Sequence, residues 1–160
     1  MSLRKRSNLP LSKTELEKFL QEPRLAHLAT ASKKGEPRVS PVWYVYENGA
    51  FYFFTRMNRV KGQHMKSNPA IALSIATNER PYVAVCAFGK AQVVTENEND
   101  WLKKISFRYG EKEGREWLPE AIKQGNRTVF MLKPDSLLSW NYDRGDEERQ
   151  EKGESMATLT

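Results

Sequence analysis

The 160-residue chain carries 26 Lys and Arg against 20 Asp and Glu, a net charge of +6 with a sequence pI near 9.4, and 39% hydrophobic residues. That is the size and make-up of one folded domain; no apolar run reaches the roughly 18 residues of a spanning helix, and Met1-Ser2-Leu3-Arg4-Lys5-Arg6 is followed by polar residues instead of an apolar export signal. The lone Cys86 cannot close an internal disulfide, which fits a cytoplasmic protein, and a basic surplus suits nucleic acid, an anionic membrane or a phosphorylated small molecule.

Arg4-Lys5-Arg6 reads most simply as a solvated arm. Ser12 and Glu15 form a capping-box pattern ahead of Leu16, Phe19 and Leu20, predicting a helix over 12–21 that Pro23 ends. Leu25 to Thr30 is small and apolar, a central strand, and 33–36 is a turn. The β-branched and aromatic stretch from Arg38 to Tyr46 predicts one strand, Asn48-Gly49 a hairpin, and Ala50 to Thr55 the returning strand. A short helix over 59–67 stops at Asn68-Pro69, and strands follow over 70–76 and 82–94, the second bent or bulged at Gly89. Helices over 97–109 and 113–123, a strand over 128–132 and its extension past Pro134 through Trp140 complete the body. Asp143, Asp146, Glu147, Glu148, Glu151 and Glu154 then gather in a stretch poor in apolar residues, so the division is a domain over 1–142 and a charged, flexible tail over 143–160. Strands in meander order with few, short helices indicate a barrel over a doubly wound sheet.

The segment Phe53 to Lys61 couples a strand end to a helix start. The first amides of a helix lack intrahelical partners and the helix dipole is positive there, so the junction suits an anion. Thr55 adds a hydroxyl donor, and Arg56, Arg59 and Lys61 add charge. Alone, the segment reads equally well as a solvated basic turn. Pro41 shifts the balance, because a proline in a strong strand demands an edge position or a broken ladder. A broken ladder leaves backbone groups near Ser40 to Trp43 in need of a partner, whereas an ordinary edge strand facing water, the other reading of Pro41, needs none. A ring edge with carbonyls and nitrogens is such a partner.

These residues resemble the pyridoxamine 5'-phosphate oxidase-like, flavin-binding split β-barrels. The resemblance runs from about Leu11 to Trp140 and rests on Leu28-Ala29-Thr30, the run Gly35 to Tyr44, Phe54-Thr55-Arg56 with Lys61 six positions after the threonine, Asn68-Pro69 and Gly89-Lys90-Ala91. It implies a mainly β fold with peripheral helices, a six-stranded antiparallel split barrel, and FMN held between the two subunits of a homodimer. By position, Arg38, Val39, Ser40, Pro41, Val42 and Trp43 line the ring and ribityl chain, while Phe54, Thr55, Arg56, Arg59, Val60 and Lys61 surround the phosphate. Trp140 matches a late tryptophan that reaches the other subunit's cofactor. The implied activity is two-electron oxidoreductase chemistry on a small organic substrate, with the deazaflavin coenzyme F-420 as the alternative cofactor in the same groove. The Arg-x-His element that holds the vitamin substrate in the oxidase proper is missing, since Asn141-Tyr142-Asp143-Arg144-Gly145 follows Trp140. The oxidases' fifth-strand glutamine is replaced near Ala84. Pyridoxamine phosphate is therefore not the expected substrate. The aromatic strands Trp43 to Tyr46 and Phe51 to Phe54 are expected to leave apolar surface for the partner subunit.

His27 and His64 have no metal-site spacing, so no metal is expected, and Cys86 reads as a small core residue. Glu111, Glu113, Glu116 and Glu120 read as the wet face of a helix. No catalytic acid or base stands out. A non-catalytic flavin carrier or sensor fits the same residues, because the cofactor brings the redox chemistry. A barrel stacking single-stranded bases on Trp43, Tyr44, Tyr46 and Tyr52 fits them less well, because the basic residues form one pocket-sized cluster.

Overall fold

The computed structural model describes residues 10–143; the basic arm and the tail from 144 onward lie outside the described residues. The capping box forms as the sequence requires: Ser12 caps α1 (Lys13–Gln21), and Glu15 reaches back to the Ser12 amide. The strands are β1 (Ala26–Ala31), β2 (Pro37–Val42), β3 (Tyr44–Glu47), β4 (Ala50–Thr55), β5 (Ala70–Ala76), β6 (Val83–Val94), β7 (Thr128–Leu132) and β8 (Ser136–Asn141). The helices are α2 (Val60–Ser67), α3 (Glu98–Tyr109), α4 (Glu111–Glu116) and α5 (Leu118–Gln124). The fold is mainly β, a curled antiparallel sheet, but it has eight strands where six were expected. The strand expected over 38–46 divides at Trp43, and β8 pairs with β6 instead of extending β7. The helix expected over 113–123 breaks at Trp117, ahead of Pro119 in the first turn of α5.

The strand order β2-β1-β5-β6-β7-β4-β3 places the two halves of one chain run at opposite ends of the path. The run Pro37 to Glu47 leaves β1 at Val42 and joins β4 at Tyr44, so the curled sheet closes through Trp43. At the other side β6 is shared: residues up to Lys90 pair with β5 or β8, and Ala91 to Val94 pair with β7. Gly89 sits beside that exchange, where a Cβ would stand 2.8 Å from the Leu132 side chain. Leu20, Leu28, Tyr44, Phe51, Phe53, Leu73, Ile75, Phe130 and Leu132 fill the interior. The aromatic strands therefore spend their apolar side chains on this core, and the surplus expected of them for a partner subunit is not there. Their outward rings are covered as well, Tyr52 stacking on Trp101 of α3 at 3.7 Å and Phe54 on Trp117 at 5.4 Å. This also removes Tyr44 and Tyr52 from any base-stacking surface. No described helix is long and apolar enough to cross a membrane.

Candidate functional site

Where the sheet closes, the chain leaves an open cleft of about 640 Å³, within the usual range for a small-molecule site. Pro41, Val42 and Trp43 form one wall, and Phe54, Thr55 and Arg56 of the β4 end form the floor. Arg59 and Lys61 enter from the start of α2. The sequence places all eight there, and the structure brings them together. Of the other residues predicted, Ser40 adjoins through the Lys61 ammonium, which donates to its hydroxyl at 3.4 Å. Arg38, Val39 and Val60 do not line the cleft. Neither does Trp140, which stands on β8 opposite Ala84 with its indole N–H buried and without an acceptor among the described residues. Leu25, Trp117 and Arg127 line the cleft and were missed. No local pattern marks them; only the folded-back helices and the β4–β7 register bring them in.

The local geometry explains the junction. The Arg59 amide donates to the Arg56 carbonyl at 3.1 Å, closing a turn directly ahead of α2. Gly62 lets the helix lie on that turn, because a Cβ there would meet the Arg56 carbonyl at 2.6 Å. Helix starts favour Ser, Thr, Asp or Asn as cap and acidic residues in the first turn. Here the cap is Arg59, it makes no side-chain cap bond, and the first turn has no acidic residue. A positive helix end thus faces positive side chains, an arrangement that favours a bound anion.

Four cations, Arg56, Arg59, Lys61 and Arg127, share the cleft, with no acidic residue among its lining. None of the four is in an ion pair among the described residues. Burial, then the nearby Arg59, lowers the Lys61 pKa from the ordinary lysine value. Burial, then Arg56 and Arg59, lowers that of Arg127. Burial is the main cause of both shifts, and no carboxylate opposes it. Trp43 is fixed opposite them: it stacks on Tyr109 at 5.0 Å and 7° and meets Trp117 edge-on at 6.2 Å. The Tyr109 hydroxyl accepts from the Tyr44 amide at 3.1 Å and donates to the Arg24 carbonyl at 2.7 Å, so α3 clamps the crossing point. Since β2 has a strand neighbour only in β1 among the described residues, its other backbone edge borders no described strand.

A larger groove of about 980 Å³ lies between α1, the β3–β4 hairpin and α3. Its charges are mixed and partly paired, as in Lys104 with Glu47 at 2.5 Å, so it gathers no single-sign field. His64 lies against Thr30, its Nδ1 3.1 Å from the hydroxyl. His27 faces outward on β1. Among the described residues no three His, Cys, Asp or Glu side chains come together to hold a metal.

Residues 12–141 match the family model described as pyridoxamine 5'-phosphate oxidase. A pyridoxine/pyridoxamine 5'-phosphate oxidase of Crocosphaera subtropica is 44% identical over 61 residues, 38% of this chain and 28% of the relative, so the match spans under a third of that relative's length. Among solved structures, a conserved hypothetical protein of Mycobacterium tuberculosis, Rv2991, superposes with a TM-score of 0.69 at 19% identity, covering 89% of this chain and 91% of that one. An F420 reductase superposes with a TM-score of 0.61 at 23% identity, covering 76% of this chain and 94% of that one. At such identities the structures show a shared split-barrel fold.

Proposed function

The chain belongs to the pyridoxamine 5'-phosphate oxidase family, and from that premise we propose that it binds FMN in the cleft and serves as an oxidoreductase. The observation that carries the reading is the uncapped, wholly basic start of α2 opening into a cleft without acidic residues. A phosphate ester, at about −1.5 to −2 charges, supplies what that site lacks. Lys61, Arg59 and Thr55 hold it, with the free first-turn amides of α2. The unpaired outer edge of β2 offers backbone groups to the flavin ring, and Trp43 closes that side. When bound, the flavin supplies two-electron chemistry. The chain contributes orientation, polarisation of the ring edge and exclusion of water; with no histidine or carboxylate in the cleft, protons come from solvent.

A deazaflavin coenzyme, F-420, fits the same observation and is favoured by the similarity to an F420 reductase. Titrating the purified protein side by side with FMN and F-420 tests both, the tighter ligand naming the cofactor. Failure of each at micromolar concentration removes the reading. Pyridoxamine phosphate is not the proposed substrate, since Asn141, Tyr142 and Asp143 replace the vitamin-holding residues; rapid pyridoxal phosphate production by the FMN-loaded protein would contradict this.

The cleft is open on one side, and a homodimer closes it. The sheet made by β2, β1, β5, β6 and β8 has an outer face of mostly small and apolar residues, broken by His27, Ser74 and Lys90: its register aligns Val39, Ala29, Ala72 and Phe88, with Cys86 opposite Leu138. Val39 is 67% exposed, Leu138 54% and Phe88 39%. Pro41 belongs to this face, by its register with His27, and to the cleft wall. A second copy on this face, across a two-fold axis, covers the apolar surface and the cleft mouth together. Trp140 stands on the same face, opposite Ala84, where it reaches the partner's cofactor.

A further inference from the structure

The cleft holds more positive charge than one phosphate needs. A phosphate ester offsets about two of the four cations. The remainder is arranged in a particular way. The β4–β7 ladder ends with Thr55 opposite Thr128, and the next residues outward on the two strands are Arg56 and Arg127. Like charges at facing positions of a ladder destabilise it. Arg127 is nevertheless kept there, its guanidinium 5.4 Å from the Trp117 ring centroid. It comes from the far side of the helical insertion, separate from the loop that supplies Arg59 and Lys61.

We propose that Arg56 and Arg127 form a second anion subsite, beside the one at Thr55, Arg59 and Lys61, that takes a second anionic group. Two sources share this chemistry: the second phosphate of a diphosphate-bearing flavin, or a carboxylate or phosphate on the substrate. An anion bridging the two arginines turns their repulsion into two charge-assisted contacts, each able to be bidentate. The subsite rests on the cleft being the cofactor site, and it makes the ligand set more anionic than FMN alone.

The test compares FMN, FAD and inorganic phosphate on the wild type, Arg127→Leu, Arg127→Lys and Lys61→Ala. If the second group belongs to the cofactor, FAD binds on the order of tenfold tighter than FMN and Arg127→Leu erases the difference. If it belongs to the substrate, the FMN-loaded protein binds inorganic phosphate, and Arg127→Leu weakens that about tenfold while Arg127→Lys retains most of it. Arg127→Leu weakening FMN as much as Lys61→Ala does would overturn the proposal, since the cleft would then be one phosphate site. No effect on any ligand would overturn it too, leaving Arg127 as packing for Trp117. Should the leucine variant melt early, Arg127→Gln replaces it. Should no flavin bind, the cofactor reading fails by itself, and inorganic pyrophosphate against phosphate still judges the subsite: a preference of about tenfold that Arg127→Leu removes supports it, and equal binding sinks it.

Discussion

The two halves of the curled sheet end differently. The half made of β3, β4, β7 and the end of β6 has its outer face covered by α3, Trp117 and α5, with Tyr52 on Trp101, Phe54 on Trp117, and Val129 packed with Leu102 and Leu118. The half made of β2, β1, β5, β6 and β8 has mostly small or apolar residues on its outer face, with His27, Ser74 and Lys90 among them, and Val39, Leu138 and Phe88 stay exposed there. The chain finishes one half itself and leaves the other bare, the face proposed for a second copy. The cleft lies at their seam, where Trp43 carries the chain from one half to the other, so its geometry depends on both.

Breaking the bare half has the largest expected effect. Ala72→Arg puts a charge in the middle of the proposed interface, where burying it unpaired costs several kcal/mol. Light scattering is expected to show a monomer, with flavin affinity falling alongside because the mouth stays open. A monomeric wild type at micromolar concentration would show that the bare face has another use.

Breaking the covered half acts on stability first. The Arg108 guanidinium donates to the Leu20 carbonyl at 2.7 Å and the Glu22 carbonyl at 2.6 Å and lies 4.5 Å over the Tyr44 ring, tying α3 to α1 and β3. Arg108→Leu is expected to cost about 2–4 kcal/mol by denaturant unfolding, with the dimer intact. Tyr109→Phe removes the hydroxyl's bonds to the Tyr44 amide, the Arg24 carbonyl and the Tyr44 carbonyl and orphans the Tyr44 amide, for about 1–3 kcal/mol. It also frees Trp43 to shift, so flavin affinity falls more with Tyr109→Phe than with Arg108→Leu. Equal or reversed losses would mean that α3 supports the fold without positioning the cleft.

The smallest effect sharpens the same contrast by pH. Burial pushes the Tyr44 hydroxyl up to about 12, with Arg108 opposing. A folded-state pKa above the unfolded value gives stability that is complete below the unfolded pKa and lost as pH rises through the folded one. Unfolding free energy is therefore expected to hold to about pH 10 and decline toward pH 12, by at most about 2–3 kcal/mol. Tyr44→Phe should flatten that decline.

Local chemistry reads well from sequence and long-range geometry does not. Ala50–Thr55, Ala70–Ala76 and Thr128–Leu132 form with the bounds their β-branched and aromatic runs predict, and the Ser12–Glu15 box starts α1. The anion junction at 55–61 was visible because its donors are neighbours in the chain. The division of β2 from β3 was not. Pro41 signals an edge, and β2 is one, yet the ladder passes through Pro41 opposite His27 and changes partner only at Trp43. Arg127 could not be seen either, since only the Thr55–Thr128 register sets it beside Arg56. The bare face hides for the same reason: its small residues come from five strands, none unusual alone.

The central claim is that the basic junction holds a cofactor phosphate, and the comparison of FMN with riboflavin tests it most directly. Wild-type protein is expected to bind FMN at micromolar concentration or below and riboflavin far more weakly. Lys61→Ala should cost FMN about 1–3 kcal/mol and leave riboflavin unchanged. Equal loss for both ligands, or equal affinity of the wild type for both, would contradict it.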